Sequence, residues 1–344
     1  MVLFDFCYLC GIIFNYKKTM ELKGIYTADA HRYVDSEALY QRCGKNGVLL
    51  PKISLVFWHN FGGVDHYERS REITHYAFDH GITHFDLANN YGPPYGSAEE
   101  TMGRLMHDDF HSYRDELFIS TKAGYDMWEG PYGNWGSRKY LMASIDQSLK
   151  RMGLDYVDLF YSHCYDPDTP LEETLQAMVD IVRQGKALYL GISRWPLEAL
   201  KFADRYLRER DVPLLIYQGR LNMLDRAPQE EGILDYCHEN GIGFISFSPL
   251  AQGLLTDRYL NGIPADSRMA KEHSLKQCVL TPELLNQLKK WNTQACERNE
   301  TLAEMALAWS LSQKGVTSVL VGASSAEQLE KNMKCVHAEP FVLA

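Results

Sequence analysis

The chain has 344 residues, a formal net charge of -10 and 23% charged residues, the composition of an ordinary globular protein. Since no Lys/Arg-rich run offsets the negative charge, a nucleic-acid-binding surface is not expected. The first 14 residues are apolar, but they are too short to span a bilayer and lack a basic region and a cleavage site. No membrane contact is therefore expected.

The eight cysteines are scattered through the chain, and only Cys7 and Cys10 have CxxC spacing. Without a second pair, neither a zinc site nor a redox site is expected there, and single cysteines fit reduced thiols in a cytoplasmic protein. Residues 1–38 are predicted to form a peripheral N-terminal tail. Met20 is an alternative start to Met1.

The segment YQRCGKNGVLLP (40–51) predicts a β-hairpin with Asn46 and Gly47 near its turn. Amphipathic stretches farther along predict helices, and the predicted helix starts at Ser97 and Thr169 combine a capping hydroxyl with early acidic residues. Two helices are predicted near the C-terminus, at about 282–298 and 302–313. Short apolar runs between these elements predict eight strands, at 53–58, 83–88, 116–122, 156–163, 187–193, 214–219, 243–249 and 318–324.

Eight strands that alternate with helices predict an α/β protein, a (β/α)8 TIM barrel with the hairpin at the barrel bottom. A doubly wound open sheet would have the same periodicity. However, no GxGxxG follows the first strand and no Pro/Gly/Ser-rich linker divides the chain. We therefore predict one barrel domain over residues 39–344.

Four polar residues lie at the predicted C-terminal ends of three consecutive strands. Asp86 ends the second barrel strand, Tyr91 follows it, Lys122 ends the third strand and His163 ends the fourth. Each alone has a plain structural interpretation, such as a rim lysine or a buried core histidine. Because the chemistry of parallel barrels is found at these strand ends, the four together predict an active site.

These residue types fit proton transfer to a carbonyl oxygen. A lysine beside a tyrosine should lower the phenol pKa from about 10, an aspartate would hold the lysine, and a neutral histidine would orient a carbonyl. The group lacks a nucleophile–base pair for acyl transfer. The sequence also has no HExxH motif, no HxH at the first strand and no P-loop, so no metal is expected.

The motifs FDLANNYG, ISTK and FYSH resemble those of the aldo-keto reductase family, and the similarity extends from about Tyr40 to Asn332. The resemblance implies a barrel that binds NADPH/NADP in an extended form, with the four residues above as the catalytic tetrad. WHNFG, LANNYGPP and NGIPADSRM are most similar to a bacterial branch that reduces L-glyceraldehyde 3-phosphate. The potassium-channel beta subunits form a related branch.

The resemblance also implies a set of cofactor contacts. It assigns Trp58, Ser193, Arg194 and Gln218 to the nicotinamide end, Ser248, Leu250, Gln252 and Gly253 to the pyrophosphate, Gly322, Ser324, Gln328 and Asn332 to the adenosine end, and Arg258 and Arg268 to the 2′-phosphate. Taken alone, the segment SPLAQG is an ordinary strand exit and Ser324 a plain helix cap. Ser325 and Lys331 depart from the Arg and Glu expected in the reductase branch, and the chain ends at Ala344, before a helix and tail found in relatives.

The substrate contacts are predicted to include Trp58 and Arg138. Arg138 lies in a glycine-rich loop that could receive a phosphate, although a surface arginine is an equal alternative.

The leading hypothesis is NADPH-dependent reduction of small aldehydes, L-glyceraldehyde 3-phosphate or methylglyoxal-like carbonyls. The alternative is a nicotinamide-binding regulatory subunit, in which His163 would typically be Asn. A truncated, inactive paralogue is a third. The expected partner is a small aldehyde, and a homo-oligomer is left open.

Overall fold

The computed structural model describes residues 26–265, 267, 269–270, 275–339 and 341. A short helix α1 (Ser36–Leu39) leads into an antiparallel hairpin of β1 (Tyr40–Arg42) and β2 (Leu49–Pro51), as predicted. The Gln41 side-chain amide donates to the carbonyls of Val316 and Thr317. The hairpin therefore contacts the start of the last barrel strand, which is the bottom of the barrel.

Eight parallel strands form a closed barrel in which each strand pairs with the next and the last pairs with the first. The predicted (β/α)8 barrel is confirmed. The strands are β3 (Ile53–Val56), β4 (His84–Asp86), β5 (Phe118–Ala123), β6 (Val157–Ser162), β7 (Ala187–Ser193), β8 (Leu214–Arg220), β9 (Gly243–Phe247) and β10 (Val316–Val321). Each overlaps its predicted segment.

Outer helices cover the barrel, and their apolar faces form one core with the strands. They are α2 (Tyr67–Asp79), α3 (Ser97–Leu105), α4 (Arg138–Met152), α5 (Leu171–Arg183), α6 (Leu197–Arg208), α7 (Ala227–Glu230), α8 (Ile233–Asn240), α9 (Pro282–Glu297), α10 (Leu302–Ser312) and α11 (Ala326–Met333). The predicted helices at 282–298 and 302–313 are confirmed to within a residue.

Two predicted helix caps are wrong. Gly96 is the residue before α3, and the Ser97 hydroxyl instead donates to the carbonyl of Pro94 while accepting from the Gly63 amide. Pro170 precedes α5, and the Thr169 hydroxyl donates to the Asp166 carboxylate. In both places a nearby loop offers the hydroxyl a partner, and the helix end is left without a side-chain cap.

Part of the segment predicted as a peripheral tail packs against the barrel helices. The Tyr26 ring stacks on His75 at 3.8 Å between ring centroids, and its hydroxyl donates to Asp79 at 2.7 Å. The predictions about Cys7, Cys10 and Met20 lie outside the described residues. Within the described part of the chain, no helix combines the length and the apolar character needed to cross a membrane.

Candidate active site

The structure brings the four predicted catalytic side chains together at the C-terminal end of the barrel. Asp86 is the last residue of β4, Lys122 lies one residue before the end of β5, and His163 directly follows β6. Tyr91 lies in the loop after β4 and is only 9% exposed. Parallel strands place all of these positions at one rim, as the sequence predicted.

The Lys122 ammonium is the centre of this group. Its Nζ lies 2.6 Å from Asp86 Oδ2, 2.6 Å from the Leu87 carbonyl oxygen and 3.2 Å from the Tyr91 hydroxyl oxygen. An ammonium has three N–H groups, and here each meets one oxygen. Since Lys122 donates to the Tyr91 oxygen, the phenolic hydrogen is left to donate to another acceptor.

Lys122 and Asp86 form an ion pair whose side chains are completely buried. Burial lowers the pKa of Lys122, and the attraction of Asp86 opposes that change. Such a pair is retained when its hydrogen bonds are satisfied, because an unpaired buried charge is very costly. The ion pair therefore fixes the ammonium beside the phenol.

The prediction that the Tyr91 pKa falls is wrong. Burial, together with the charge of Asp86 and the neighbouring Tyr125, raises the pKa of Tyr91 well above 10. A neighbouring ammonium favours the phenolate, but the loss of water around the buried phenol has the larger effect here. The tyrosine therefore holds its proton at neutral pH, as an acid catalyst requires.

The His163 imidazole lies against two tyrosine rings, with its centroid 5.9 Å from that of Tyr91 and 4.7 Å from that of Tyr125. Burial lowers the His163 pKa well below 6.5, and the positive charges of Lys122 and Arg194 lower it further. The ring is therefore neutral. Its Nδ1 is buried without a hydrogen-bond partner among the described residues.

The predicted nicotinamide contacts adjoin this group. Ser193, the last residue of β7, and Gln218 of β8 are buried and paired in register, and Gln218 Nε2 lies 3.4 Å from Asp86 Oδ1. Arg194 has a left-handed backbone with φ 59°, and its guanidinium donates to the Tyr125 hydroxyl at 2.9 Å. Trp58 follows β3 and is 40% exposed.

The predicted pyrophosphate loop has an unusual backbone. Ser248, Ala251, Gln252 and Gly253 all have positive φ, and the Leu250 carbonyl accepts from the Gly253 amide at 2.8 Å. Successive turn and left-handed residues can direct backbone N–H groups at an anion, and the cost of such conformations is usually met at functional sites. The buried Oε1 of Gln252 has no partner within the described chain.

The predicted adenosine end lies between β10 and α11, where Gly322 follows the strand. The Gln328 side chain accepts from the Ser324 amide at 2.8 Å. The cap of α11 is Ser325, which accepts from the Gln328 amide, so the interpretation of Ser324 as a plain cap is wrong. Asn332 is 4% exposed, and its buried Nδ2 lacks a partner among the residues described.

Two of the three cations predicted near the adenosine end, Lys331 and Arg258, belong to the described residues. Lys331 forms an exposed ion pair with Glu327 at 2.7 Å. Arg258 lies in a 3-10 turn (Asp257–Tyr259) after β9, and Arg268 lies outside the described residues. The atoms of His163, Gln252 and Asn332 that lack a partner among the described residues, and the left-handed backbone of the loop from Ser248 to Gly253, fit the predicted dinucleotide.

Arg138 is placed differently from the other predicted site residues. Its backbone amide donates to Glu173 in the first turn of α5, whereas its guanidinium pairs with Asp180 two turns farther along that helix. The side chain therefore runs along the outer helix and away from the rim. The predicted phosphate contact is not supported by this placement.

The sequence interpretation missed two residues that touch the tetrad network. Ser120 donates to Asp86 Oδ1 at 2.8 Å, and His84 lies 3.0 Å from Ser120 through its Nε2. A signal was available, since His84 and Ser120 each precede a tetrad residue by two positions. Residues two apart in a strand share a face, so both had to point into the barrel interior.

Comparison with known proteins agrees with this geometry. The family model described as "Aldo/keto reductase family" matches residues 57–342. The chain is 55% identical over 321 residues to L-glyceraldehyde 3-phosphate reductase of Escherichia coli (strain K12), covering 92% of each chain. It is 35% identical over 309 residues to a probable voltage-gated potassium channel subunit beta of Arabidopsis thaliana, covering 88% of this chain and 92% of that protein.

Proposed function

Since this chain belongs to the aldo/keto reductase family and is therefore an oxidoreductase, we propose that it reduces small aldehydes with NADPH and that Tyr91 is the general acid. The observation that carries the proposal is the contact of 3.2 Å between the Lys122 ammonium and the Tyr91 hydroxyl oxygen. This contact leaves the phenolic hydrogen free to donate and prepares a cation for the phenolate that would remain.

The proposed proton transfer uses only groups of the barrel rim. NADPH, when bound, supplies the hydride. The neutral His163 ring would donate a hydrogen bond to the aldehyde oxygen and hold it near Tyr91. Tyr91 then gives its proton to that oxygen, and Lys122 stabilises the phenolate through charge and hydrogen bonding. Asp86 keeps the ammonium in place from the opposite side, at 2.6 Å.

We assign the cofactor to buried polar residues beside Asp86, to the loop with left-handed backbone and to a buried amide that lacks a partner among the described residues. Ser193 and Gln218 would hold the carboxamide because they are buried beside Asp86. The loop from Ser248 to Gly253 would hold the pyrophosphate, and Asn332 would donate its unpartnered amide at the adenosine end. These placements support an extended cofactor that passes along the strand ends.

The substrate proposal rests on the relative from Escherichia coli, whose name states that it reduces L-glyceraldehyde 3-phosphate. We propose the same class of substrate, a short aldehyde with or without a phosphate. The rival function, a nicotinamide-binding subunit, draws on the potassium-channel relatives at 35% and 33% identity. The complete tetrad, including His163, favours turnover.

The test is an assay of the purified full chain with NADPH and a panel of small aldehydes, followed at the nicotinamide absorbance. Oxidation of NADPH that depends on L-glyceraldehyde 3-phosphate, and less strongly on methylglyoxal, is the expected result. Binding of NADPH, measured by fluorescence, without turnover of any aldehyde would instead favour the regulatory subunit.

The cofactor preference can be measured in the same assay. Charge-assisted hydrogen bonds to a phosphate contribute about 1.5–3 kcal/mol each, so one surviving arginine contact to the 2′-phosphate implies a preference of about tenfold or more for NADPH. We assign this contact to Arg258 or Arg268, since Ser325 is the cap of α11 and carries no charge. Arg268→Ala should narrow the preference, and equal kcat/KM for NADH and NADPH in the unmodified protein would contradict the assignment.

A further inference from the structure

A continuous chain of buried side chains runs through the barrel interior and ends on the tetrad. Ser318 Oγ lies 2.7 Å from Ser54 Oγ, which lies 2.8 Å from His84 Nδ1. His84 Nε2 lies 3.0 Å from Ser120 Oγ, which lies 2.8 Å from Asp86 Oδ1. All five side chains are fully buried. The chain crosses from the last strand through β3 and β4 to β5.

The direction of the hydrogen bonds in this chain follows from its acidic end. An ionised Asp86 can only accept, so the Ser120 hydroxyl must donate to it. The Ser120 oxygen can then accept only from a protonated Nε2 of His84. A neutral imidazole protonated at Nε2 has an accepting Nδ1, so Ser54 must donate to that nitrogen. The series of hydrogen bonds from Ser54 to Asp86 therefore requires the tautomer of His84 that is protonated at Nε2.

Ser120, the last hydroxyl in this series of hydrogen bonds, and Lys122 contact different oxygens of Asp86. Oδ2 receives Lys122 at 2.6 Å, whereas Oδ1 receives Ser120 at 2.8 Å and the more distant Gln218 at 3.4 Å. The Ser120 bond on one oxygen and the lysine contact on the other therefore fix the rotation of the carboxylate together. That rotation decides where the lysine ammonium is held relative to the phenol.

We propose that His84 is a positioning residue that acts through Ser120 to orient Asp86, and hence Lys122, for proton donation by Tyr91. The proposal rests on the proposed role of Tyr91 as general acid. The plain alternative is a buried core histidine whose hydrogen bonds are merely satisfied. The two differ in one respect: a positioning residue loses its effect on turnover once Ser120 is gone, and a packing residue does not.

A double-mutant cycle makes this distinction, with His84→Leu, Ser120→Ala and the two combined. Ser120→Ala removes the hydrogen bond to the charged Asp86, and His84→Leu removes the bond that orients Ser120, so each single variant should lower kcat about tenfold with little change in the fluorescence Kd for NADPH. We expect the combined variant to be no slower than either one. Losses that multiply in the combined variant, or an unchanged kcat in the singles, would overturn the proposal.

His84→Gln is the matched rescue, because its amide nitrogen can donate to Ser120 in place of Nε2. It should recover most of the activity lost in His84→Leu, and a glutamine variant as slow as the leucine variant would count against the proposal. Tyr91→Phe is run in the same assay. If that variant retains its activity, the proposed function fails, whereas an inactive Tyr91→Phe with an additive cycle contradicts only the role of His84.

The tautomer can be measured without depending on how well a variant folds. Nitrogen-15 labelling of histidine in the unmodified chain distinguishes protonated from unprotonated ring nitrogens by NMR. At neutral pH His84 should have a protonated Nε2 and an unprotonated Nδ1, and Ser120→Ala should shift the Nε2 signal. A protonated Nδ1 would reverse the hydrogen bonds of the chain and overturn the proposal.

Discussion

The two ends of the barrel are built on opposite principles. At the rim, six of the eight described non-glycine residues with positive φ lie in loops that follow strands: Asn60, Trp135, Arg194, Ser248, Ala251 and Gln252. At the bottom, the hairpin joins the barrel through regular contacts, such as the bond of 2.9 Å from the Lys45 amide to the Gly241 carbonyl. Strained backbone, which costs about 1–3 kcal/mol per residue, is therefore concentrated at one end.

Two buried polar atoms without a partner among the described residues lie at the rim, although Ser310 of an outer helix also has one. The buried Nδ1 of His163 and Oε1 of Gln252 lack partners within the described chain, and both belong to rim loops. At the bottom, Leu50 and Cys43 are completely buried against the inward side chains of the barrel. The difference indicates that the bottom contributes stability and the rim retains groups for a ligand.

The largest expected effect is at the rim. Tyr91→Phe removes the proposed acid but leaves the ring that packs against His163, so kcat should fall by about 10²–10⁴-fold. The Kd for NADPH and the free energy of unfolding should change little. Tyr125→Phe is the control for kcat, because that rim tyrosine also contacts His163 but its hydroxyl accepts from Arg194 at 2.9 Å. A Tyr91→Phe variant that retained its kcat would remove the role given to this residue.

At the bottom, Leu50→Ala should have the opposite pattern. Truncation of a fully buried leucine leaves a cavity, and the free energy of unfolding should fall by about 2–5 kcal/mol. Urea unfolding measures that loss, and kcat of the folded protein should stay close to the original. Leu49→Ala on the same strand is the control, since Leu49 is 55% exposed and should change stability by about 0.5 kcal/mol or less. A large loss of kcat in Leu50→Ala with unchanged stability would break the division between the ends.

His84 lies between the two ends and should make stability depend on pH. Burial lowers its pKa to about 4 from 6.5. Below about pH 6.5 the unfolded chain binds a proton on this imidazole, whereas the folded chain binds it only as the pH approaches 4. The contribution of the neutral imidazole to the free energy of unfolding is therefore complete above pH 6.5 and is lost as the pH falls towards 4. Its maximum is about 3 kcal/mol.

This pH dependence is measured by urea unfolding at pH 7.5 and pH 4.5. His84→Gln should reduce the loss of stability between the two pH values, whereas His80→Gln, which alters an exposed histidine, should not. An equal loss in the unmodified protein and in His84→Gln would show that the buried imidazole does not resist protonation.

The sequence predicted the barrel and the tetrad because both depend on regular patterns. Continuous apolar runs mark strands that are buried on both faces, and the strand ends bring Asp86, Lys122 and His163 to one rim without further information. The capping predictions at Ser97 and Thr169 failed because each hydroxyl donates to an oxygen three residues earlier in its own loop, and Ser97 also accepts from Gly63 in another loop. Contacts between loops depend on the tertiary structure, and single motifs do not contain them.

Burial explains the other differences between prediction and structure. The pKa of Tyr91 depends on how much water the surrounding loops exclude, which residue types alone do not give. The hydrogen bonds from His84 through Ser120 to Asp86 could have been predicted from the alternation of side chains along β4 and β5. The direction of the Arg138 side chain could not have been predicted from the sequence, because its ion pair with Asp180 depends on how α4 packs against α5.

The smallest expected effect concerns Arg138, whose side chain is directed away from the rim along α5. Because an exposed ion pair contributes about 0–1 kcal/mol, Arg138→Ala should lower the free energy of unfolding only slightly. KM for L-glyceraldehyde 3-phosphate and KM for an uncharged aldehyde should both stay unchanged. Arg194→Ala is the matched comparison, since that guanidinium contacts Tyr125 beside His163 and its loss should raise KM. A rise in KM for the phosphorylated aldehyde alone in Arg138→Ala would mean that the side chain leaves Asp180 when substrate binds.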